Sequence, residues 1–180
     1  MRIYVARHGQ TQWNAENKVC GGKIDIPLSE IGEQQAQELA REAAKHPIDV
    51  IISSTMIRAK QTAQAVADAM GLEVVTDPRL VEQDYGIYDG ADRKDPGFLE
   101  NKKHFAYRYP GGESMLQLAH RLYGFLDEIR RTYAGKNVLL VCHGGVARSL
   151  RTYFVDMTNE EYFLYSPGNA SLEIYDLADW

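Results

Sequence analysis

The stretch Ile3-Tyr4-Val5-Ala6-Arg7-His8-Gly9-Gln10-Thr11 decides how the rest of the chain is read. Four apolar residues form a short buried strand that hands over directly to an arginine, a histidine and a glycine. Open α/β sheets bind ligands beyond the carboxyl ends of their strands, so a pair delivered there is placed for chemistry. Taken alone, it also reads as a surface pair beside a turn glycine. Neighbouring strand residues point to opposite faces, so Arg7 and His8 share a pocket only if the strand stops there. Gly9 predicts that stop.

A second strand ends in the same way. Val138-Leu139-Leu140-Val141-Cys142 is apolar on both faces, which predicts a central position, and it runs into His143-Gly144-Gly145. Between and around these two strands, helical and strand patterns alternate. Ser29 is an N-cap candidate for a helix carrying Ile31, Ala36, Leu39, Ala40 and Ala43, with Pro47 near its end. Asp49-Val50-Ile51-Ile52 reads as a strand, with Ser53, Ser54 and Thr55 as capping candidates for the next helix. That helix places Ala59, Ala63, Val66, Ala67 and Met70 on one face and stops at Gly71. Glu73-Val74-Val75-Thr76 is a further strand, and Met115 to Tyr133 a long amphipathic helix. Another helix carries Val146, Leu150 and Phe154, and Leu172-Glu173-Ile174-Tyr175 alternates as a half-solvated strand. The pattern predicts one three-layer α/β/α domain over residues 1–180, a mostly parallel central sheet with helices on both faces.

Residues 84–112 interrupt the pattern. Glycines and prolines punctuate them, and Tyr85, Tyr88, Phe98, Phe105, Tyr107 and Tyr109 are interleaved. They read as a lid-like excursion with one short helix around 98–105, in which each aromatic reads either as a packing residue or as part of a substrate wall.

The bulk numbers narrow the function classes. The 180 residues carry 44% hydrophobic and 25% charged side chains, ordinary for a soluble globular protein. A net charge of -5 argues against a nucleic-acid partner. Cys20 and Cys142 offer no disulfide framework. With neither a signal-peptide pattern nor a membrane-length apolar run, the expectation is a cytoplasmic protein without a membrane partner. Oligomeric state is not legible; a homodimer through an edge strand or exposed helix is compatible.

Two histidines at one sheet mouth, backed by Arg7, make a pocket for an anion. Arginine's planar fork suits phosphate oxygens, and glycines let backbone approach a bound group. A neutral imidazole, with a reference pKa of about 6.5, can attack phosphorus and form a phosphohistidine. The leaving alkoxide then needs a proton; Glu82 is the candidate acid, with Asp84 and Glu113 as rivals. No recognisable metal-ligand spacing accompanies the histidines.

These residues carry a family resemblance. Arg7-His8-Gly9 with Thr11, Trp13 and Asn14 resembles the signature of the histidine phosphatase superfamily, the phosphoglycerate-mutase-like proteins. The likeness continues in order along most of the chain. It takes in Asp25 to Gly32, Ser53-Ser54 with Arg58 to Ala63, and Leu80, Glu82, Gly86, Asp89 and Gly90. It then includes Gly111 to Ser114, Val141 to Gly145 with Arg148, and Asn169-Ala170-Ser171. The resemblance implies that His8 is the transiently phosphorylated nucleophile and Glu82 the proton donor. It further implies a phosphate pocket of Arg7, Arg58 and His143, joined by Asn14, with no cofactor and no metal. From residue chemistry alone Arg58 would be a solvated helix arginine.

Thr55-Met56-Ile57 departs from the family's usual residues before that arginine, and Cys20 receives no role. The glycolytic mutases carry a paired-arginine segment that holds the phosphoglycerate carboxylate. The excursion here has Arg93, Lys94, Lys102, Lys103 and Arg108 but no adjacent pair. The expectation is therefore a metal-independent phosphatase acting on a small phosphomonoester. The alternatives are mutase-type phosphoryl transfer and a catalytically silent phosphate-binding domain.

Overall fold

The computed structural model describes residues 1–177. Five strands form one sheet: β1 Arg2–Arg7, β2 Val50–Ser53, β3 Val74–Thr76, β4 Val138–Cys142 and β5 Leu172–Asp176, in the order β3-β2-β4-β1-β5. All neighbours are parallel except β5, which runs antiparallel to β1 along one edge. β4 occupies the centre and every one of its residues is buried, as its unbroken apolar run requires. The helices are α1 Gln12–Ala15, α2 Glu30–Ala43, α3 Ile57–Met70, α4 Pro96–Lys102, α5 Met115–Thr132, α6 Gly144–Arg151 and α7 Asn159–Leu164.

Strand alternation divides the core into two layers. Ile3, Val5, Val138, Leu140 and Cys142 face α5 and α6, meeting Leu118, Leu122, Phe125, Leu126, Val146 and Leu150. Tyr4, Ala6, Leu139 and Val141 face α2 and α3, whose contribution is mostly alanine: Ala36, Ala40, Ala43, Ala59, Ala63 and Ala67. The architecture is a mostly parallel sheet with helices on both faces. Among the described residues, no helix is long and apolar enough to cross a membrane.

Several local expectations are corrected. Ser29 caps α2 by accepting from Gly32 N at 3.1 Å, but Ile31 is 54% exposed, because Gly32 and not Ile31 faces the β1 loop. None of Ser53, Ser54 and Thr55 is the N-cap of α3. Met56 is, without a side-chain bond of its own, and Asp25 Oδ1 reaches in from a distant loop to accept from Ile57 N at 2.7 Å. In β5 the apolar alternation is broken. α2's layer reaches Leu172 but leaves Ile174 open, while Tyr175 is buried by stacking on Phe154 at 4.6 Å.

The excursion holds α4, which starts at Pro96, earlier than the aromatic pattern suggested, because Asp95 caps it by accepting from Phe98 N. Tyr85, Phe98 and Tyr109 pack on one another with Val19, so these aromatics fasten the excursion to the domain. α1 and α7 were not read from the sequence. For α7 the signal was present: Thr158 and Glu161 form a reciprocal capping box.

The contact between α2 and the β1 loop is unusually close. A Cβ on Gly32 would lie 2.0 Å from Gln10 O. Alanine in a helix is normally favoured over glycine by about 1 kcal/mol, but overpacking against backbone costs about 1–3 kcal/mol or more. Gly32→Ala is therefore expected to lower stability in urea denaturation; a midpoint equal to or above the parent's would refute the close approach.

Candidate active site

Parallel pairing of β1 with β4 puts Arg7 opposite Cys142, so the residues that follow, His8 and His143, leave the sheet at the same edge. Their ring centroids lie 5.1 Å apart, edge to face. β1 ends at Arg7, although His8 N still donates to Cys142 O at 2.9 Å before the chain turns away. That ending lets Arg7 and His8 line one cavity of about 180 Å³, along with Asn14 and Glu82. Arg58 and His143 are fully buried and do not line the open cavity.

The hydrogen bonds assign the tautomer of His8. Its Nδ1 lies 2.6 Å from Gly9 O, and a carbonyl only accepts, so Nδ1 carries the proton and Nε2 keeps its lone pair. Burial, then the charges of Arg58 and Arg7, hold His8 well below the usual imidazole value of 6.5. His143 is depressed likewise, by burial and then Arg58; its Nε2 sits 2.8 Å from Ser54 Oγ. Arg58 is anchored by donating from Nη1 to Ile24 O at 2.6 Å, and Arg7 by donating from Nη1 to Pro167 O at 2.7 Å. Burial, then Arg93, pushes Arg7 down to about 10.

What remains unpaired is informative. Arg7 Nε, Arg58 Nε and Nη2, and His143 Nδ1 are buried without a partner. An unpaired buried donor costs about 1–3 kcal/mol, more when charged. Several of them beside one free imidazole nitrogen suit an acceptor-only anion with several oxygens, which is the chemistry of phosphate.

Glu82 approaches from the other side. Its carboxylate accepts from Gly145 N at 3.0 Å and Val146 N at 3.2 Å, in the first turn of α6, and from Gln83 N at 2.8 Å. The approach needs Gly145, where a Cβ would lie 2.7 Å from Glu82 Oε1. The rival acids are engaged elsewhere, Asp84 with Lys23 at 3.0 Å and Glu113 with Arg121 at 3.2 Å. Asn14 Oδ1 accepts from Thr11 N at 3.0 Å and Asn169 Nδ2 at 3.3 Å, which leaves its amide nitrogen as the end available to the cavity.

Sequence reasoning gave no role to Cys20, Arg93, Lys102 and Arg148 of the lining, and left Tyr85 as a packing residue or part of a substrate wall. Arg148 had a readable signal, since it lies one helical turn beyond Gly144 and so on the same face. Arg93 had none, because an irregular loop has no periodicity to project, whereas Lys102 ends α4 one turn beyond the buried Phe98 and so shares its face. Burial, then Arg148 and Arg93, pushes Lys102 down to about 7. Among the described residues, no three His, Cys, Asp or Glu side chains cluster to hold a metal ion.

A histidine at a strand end, with Arg7 and Arg58 near it and Glu82 on the same cavity wall, is a constellation suited to an anionic group in an α/β protein. A profile of the histidine phosphatase superfamily (branch 1) matches residues 3–180, and the chain belongs to that superfamily. The "Probable phosphoglycerate mutase GpmB" of Yersinia pestis (strain Pestoides F) is 40% identical over 151 residues, covering 80% of this chain and 70% of that protein. A mycobacterial glucosyl-3-phosphoglycerate phosphatase, solved with VO3, is 30% identical with a TM-score of 0.85, covering 96% of this chain and 90% of the other. The Entamoeba histolytica phosphoserine phosphatase, at 24% identity and a TM-score of 0.84 over 96% of this chain and 89% of its own, shares the fold.

Protonation would remove the lone pair on Nε2, so a depressed His8 keeps that nitrogen free as pH falls through 6.5. In phosphate-free buffer His8 and His143 are expected to stay neutral as the pH falls through the usual imidazole value of 6.5, read from ring 15N shifts. Titration of either ring near its unperturbed value would show that the site is solvated and the donor ring wrongly assigned.

Proposed function

We propose that the protein is a metal-independent phosphatase that hydrolyses a small phosphomonoester through a phosphohistidine. The observation that carries this reading is the free Nε2 of His8 in a pocket whose neighbouring arginines, Arg7 and Arg58, keep buried N–H groups without partners. In the first step Nε2 attacks phosphorus and the bond to the ester oxygen breaks. The leaving oxygen takes its proton from the Glu82 carboxyl group and departs as the alcohol. Arg7, Arg58 and His143, joined by the Asn14 amide, bind the phosphoryl oxygens and offset their charge, the main requirement of phosphoryl transfer. In the second step the Glu82 carboxylate accepts a proton from water as the oxygen attacks the phosphohistidine. Inorganic phosphate leaves, and His8 and the Glu82 acid are restored.

Mutase-type transfer uses the same pocket and has the name of the 40%-identical relative in its favour. Against it stands the excursion, where no two arginines are adjacent. The cavity of about 180 Å³ suits a small ester, since pockets for drug-sized ligands run from about 300 Å³ upward.

Rapid quenching with a phosphomonoester should trap an acid-labile phosphoryl group on His8, lost in His8→Ala, with stoichiometric phosphate release at steady state. Interconversion of 2- and 3-phosphoglycerate without phosphate release would establish the mutase instead, and binding without label the silent domain. General-acid assistance contributes about 10²–10⁴-fold, so Glu82→Gln should slow phosphoryl transfer from an alkyl ester by at least about 10². The loss should be much smaller for p-nitrophenyl phosphate, whose leaving group needs no proton. An equal loss on both esters would remove Glu82 from the role of acid.

A further inference from the structure

We infer that Glu173, on β5 and outside the cavity, is a positioning residue for the phosphate pocket, acting through the Tyr165 side chain on the backbone that holds Arg7 and Arg148. The inference rests on the phosphatase reading and adds to it a polar cluster that the mechanism above leaves unused. Residues 165–168 lie between α7 and β5 in neither helix nor strand, so no ladder of backbone hydrogen bonds fixes them. Yet Pro167 O accepts from Arg7 Nη1 at 2.7 Å, and Tyr165 O accepts from Arg148 Nη1 at 3.3 Å. Ser166, between them, lines the cavity. Two guanidiniums of the site are thus aimed by an irregular stretch of three residues.

What holds that stretch lies on its far side. The Tyr165 hydroxyl donates to Glu173 Oε1. Tyr175 OH donates to Glu173 Oε2 at 2.6 Å, since strand alternation puts residues 173 and 175 on one face. Arg151, which ends α6, stands 3.5 Å from Glu173 Oε1 and 5.0 Å from the centre of the Tyr165 ring, and donates to Tyr175 OH at 3.3 Å. Burial, then the bond to Glu173, pushes both phenols well above their usual value of 10, so both stay donors at neutral pH. Hydrogen bonds from a hydroxyl to an ionised carboxylate are roughly twice as strong as neutral ones. The two phenols differ in what they carry: Tyr175 belongs to the sheet, Tyr165 to the stretch that aims the guanidiniums. Of the two bonds to Glu173, only the one to Tyr165 therefore bears on where Arg7 points.

The test replaces each phenol by phenylalanine, which keeps the ring and deletes one hydroxyl. The readouts are inorganic phosphate binding by calorimetry and phosphate release from p-nitrophenyl phosphate. Arg7 holds the phosphoryl oxygens both before and during transfer, so Tyr165→Phe should raise the phosphate Kd and KM about tenfold at nearly parental kcat. Tyr175→Phe loses a bond to the same carboxylate and should stay within about twofold of the parent in both. Glu173→Gln keeps an oxygen for Tyr165 and should stay within about threefold, whereas Glu173→Leu should match Tyr165→Phe. Equal losses in the two phenylalanine variants, or a loss confined to kcat at parental KM, would make the cluster a stabilising tie alone and overturn the inference. Parental phosphate affinity in Tyr165→Phe would overturn it as well. A parent that binds phosphate but releases none would refute the phosphatase reading, and the Kd values of the variants would still decide the positioning role. A parent without affinity for phosphate would overturn both.

Discussion

The site depends on the parallel pairing of β1 with β4. Register is decisive, because shifting a strand by one residue exchanges its two faces. With Arg7 opposite Cys142, two chain segments more than a hundred residues apart end level, and both histidines emerge on one side of the sheet. The burial of both faces holds that register. Val5 and Leu140 sit in one layer, Tyr4 and Leu139 in the other, and a one-residue slip of β1 would exchange the layers of Tyr4 and Val5.

Around that pairing the molecule trades stability for charge handling. His8 and His143 are kept neutral by enclosure and by neighbouring guanidiniums, the same guanidiniums whose buried N–H groups lack protein acceptors. Groups of this kind are costly in a folded protein and concentrate at functional sites. The scaffold that carries them is correspondingly conventional. Alanine-lined helices cover one face and leucine-rich helices the other, and α6 starts immediately after His143, where its first-turn amides hold Glu82.

Sequence reading reached the layers, the central strand and the paired His-Gly endings because each rests on a local pattern of two- or 3.6-residue period. It separated Glu82 from Asp84 and Glu113 only through family likeness; the physical discriminator, two α6 amides aimed at one carboxylate, is a contact between distant segments. Arg58 was hidden for a related reason. A helix pattern marks alanines as inward but does not show that the space beside them accommodates a guanidinium. Ser54 is a further case, read as a cap candidate and found as the partner of His143. Of the cationic lining in the excursion, Arg93 lies in irregular chain with no periodic signal, whereas Lys102 follows the buried Phe98 by one turn of α4.

The last strand bears on when the nucleophile comes into being. Arg7 N donates to Ser171 O, while His8 O accepts from Ala170 N and from Asn169 Nδ2. β1, nearly the first segment of the described chain, therefore has one neighbour at 138–142 and another at 172–176. Contacts of such long sequence separation form late, after the loops between them have been closed. The backbone groups of Arg7 and His8 therefore find their last partners only when residues 169–171 join them. The strand end that carries the nucleophile candidate is thus closed by the far end of the described chain.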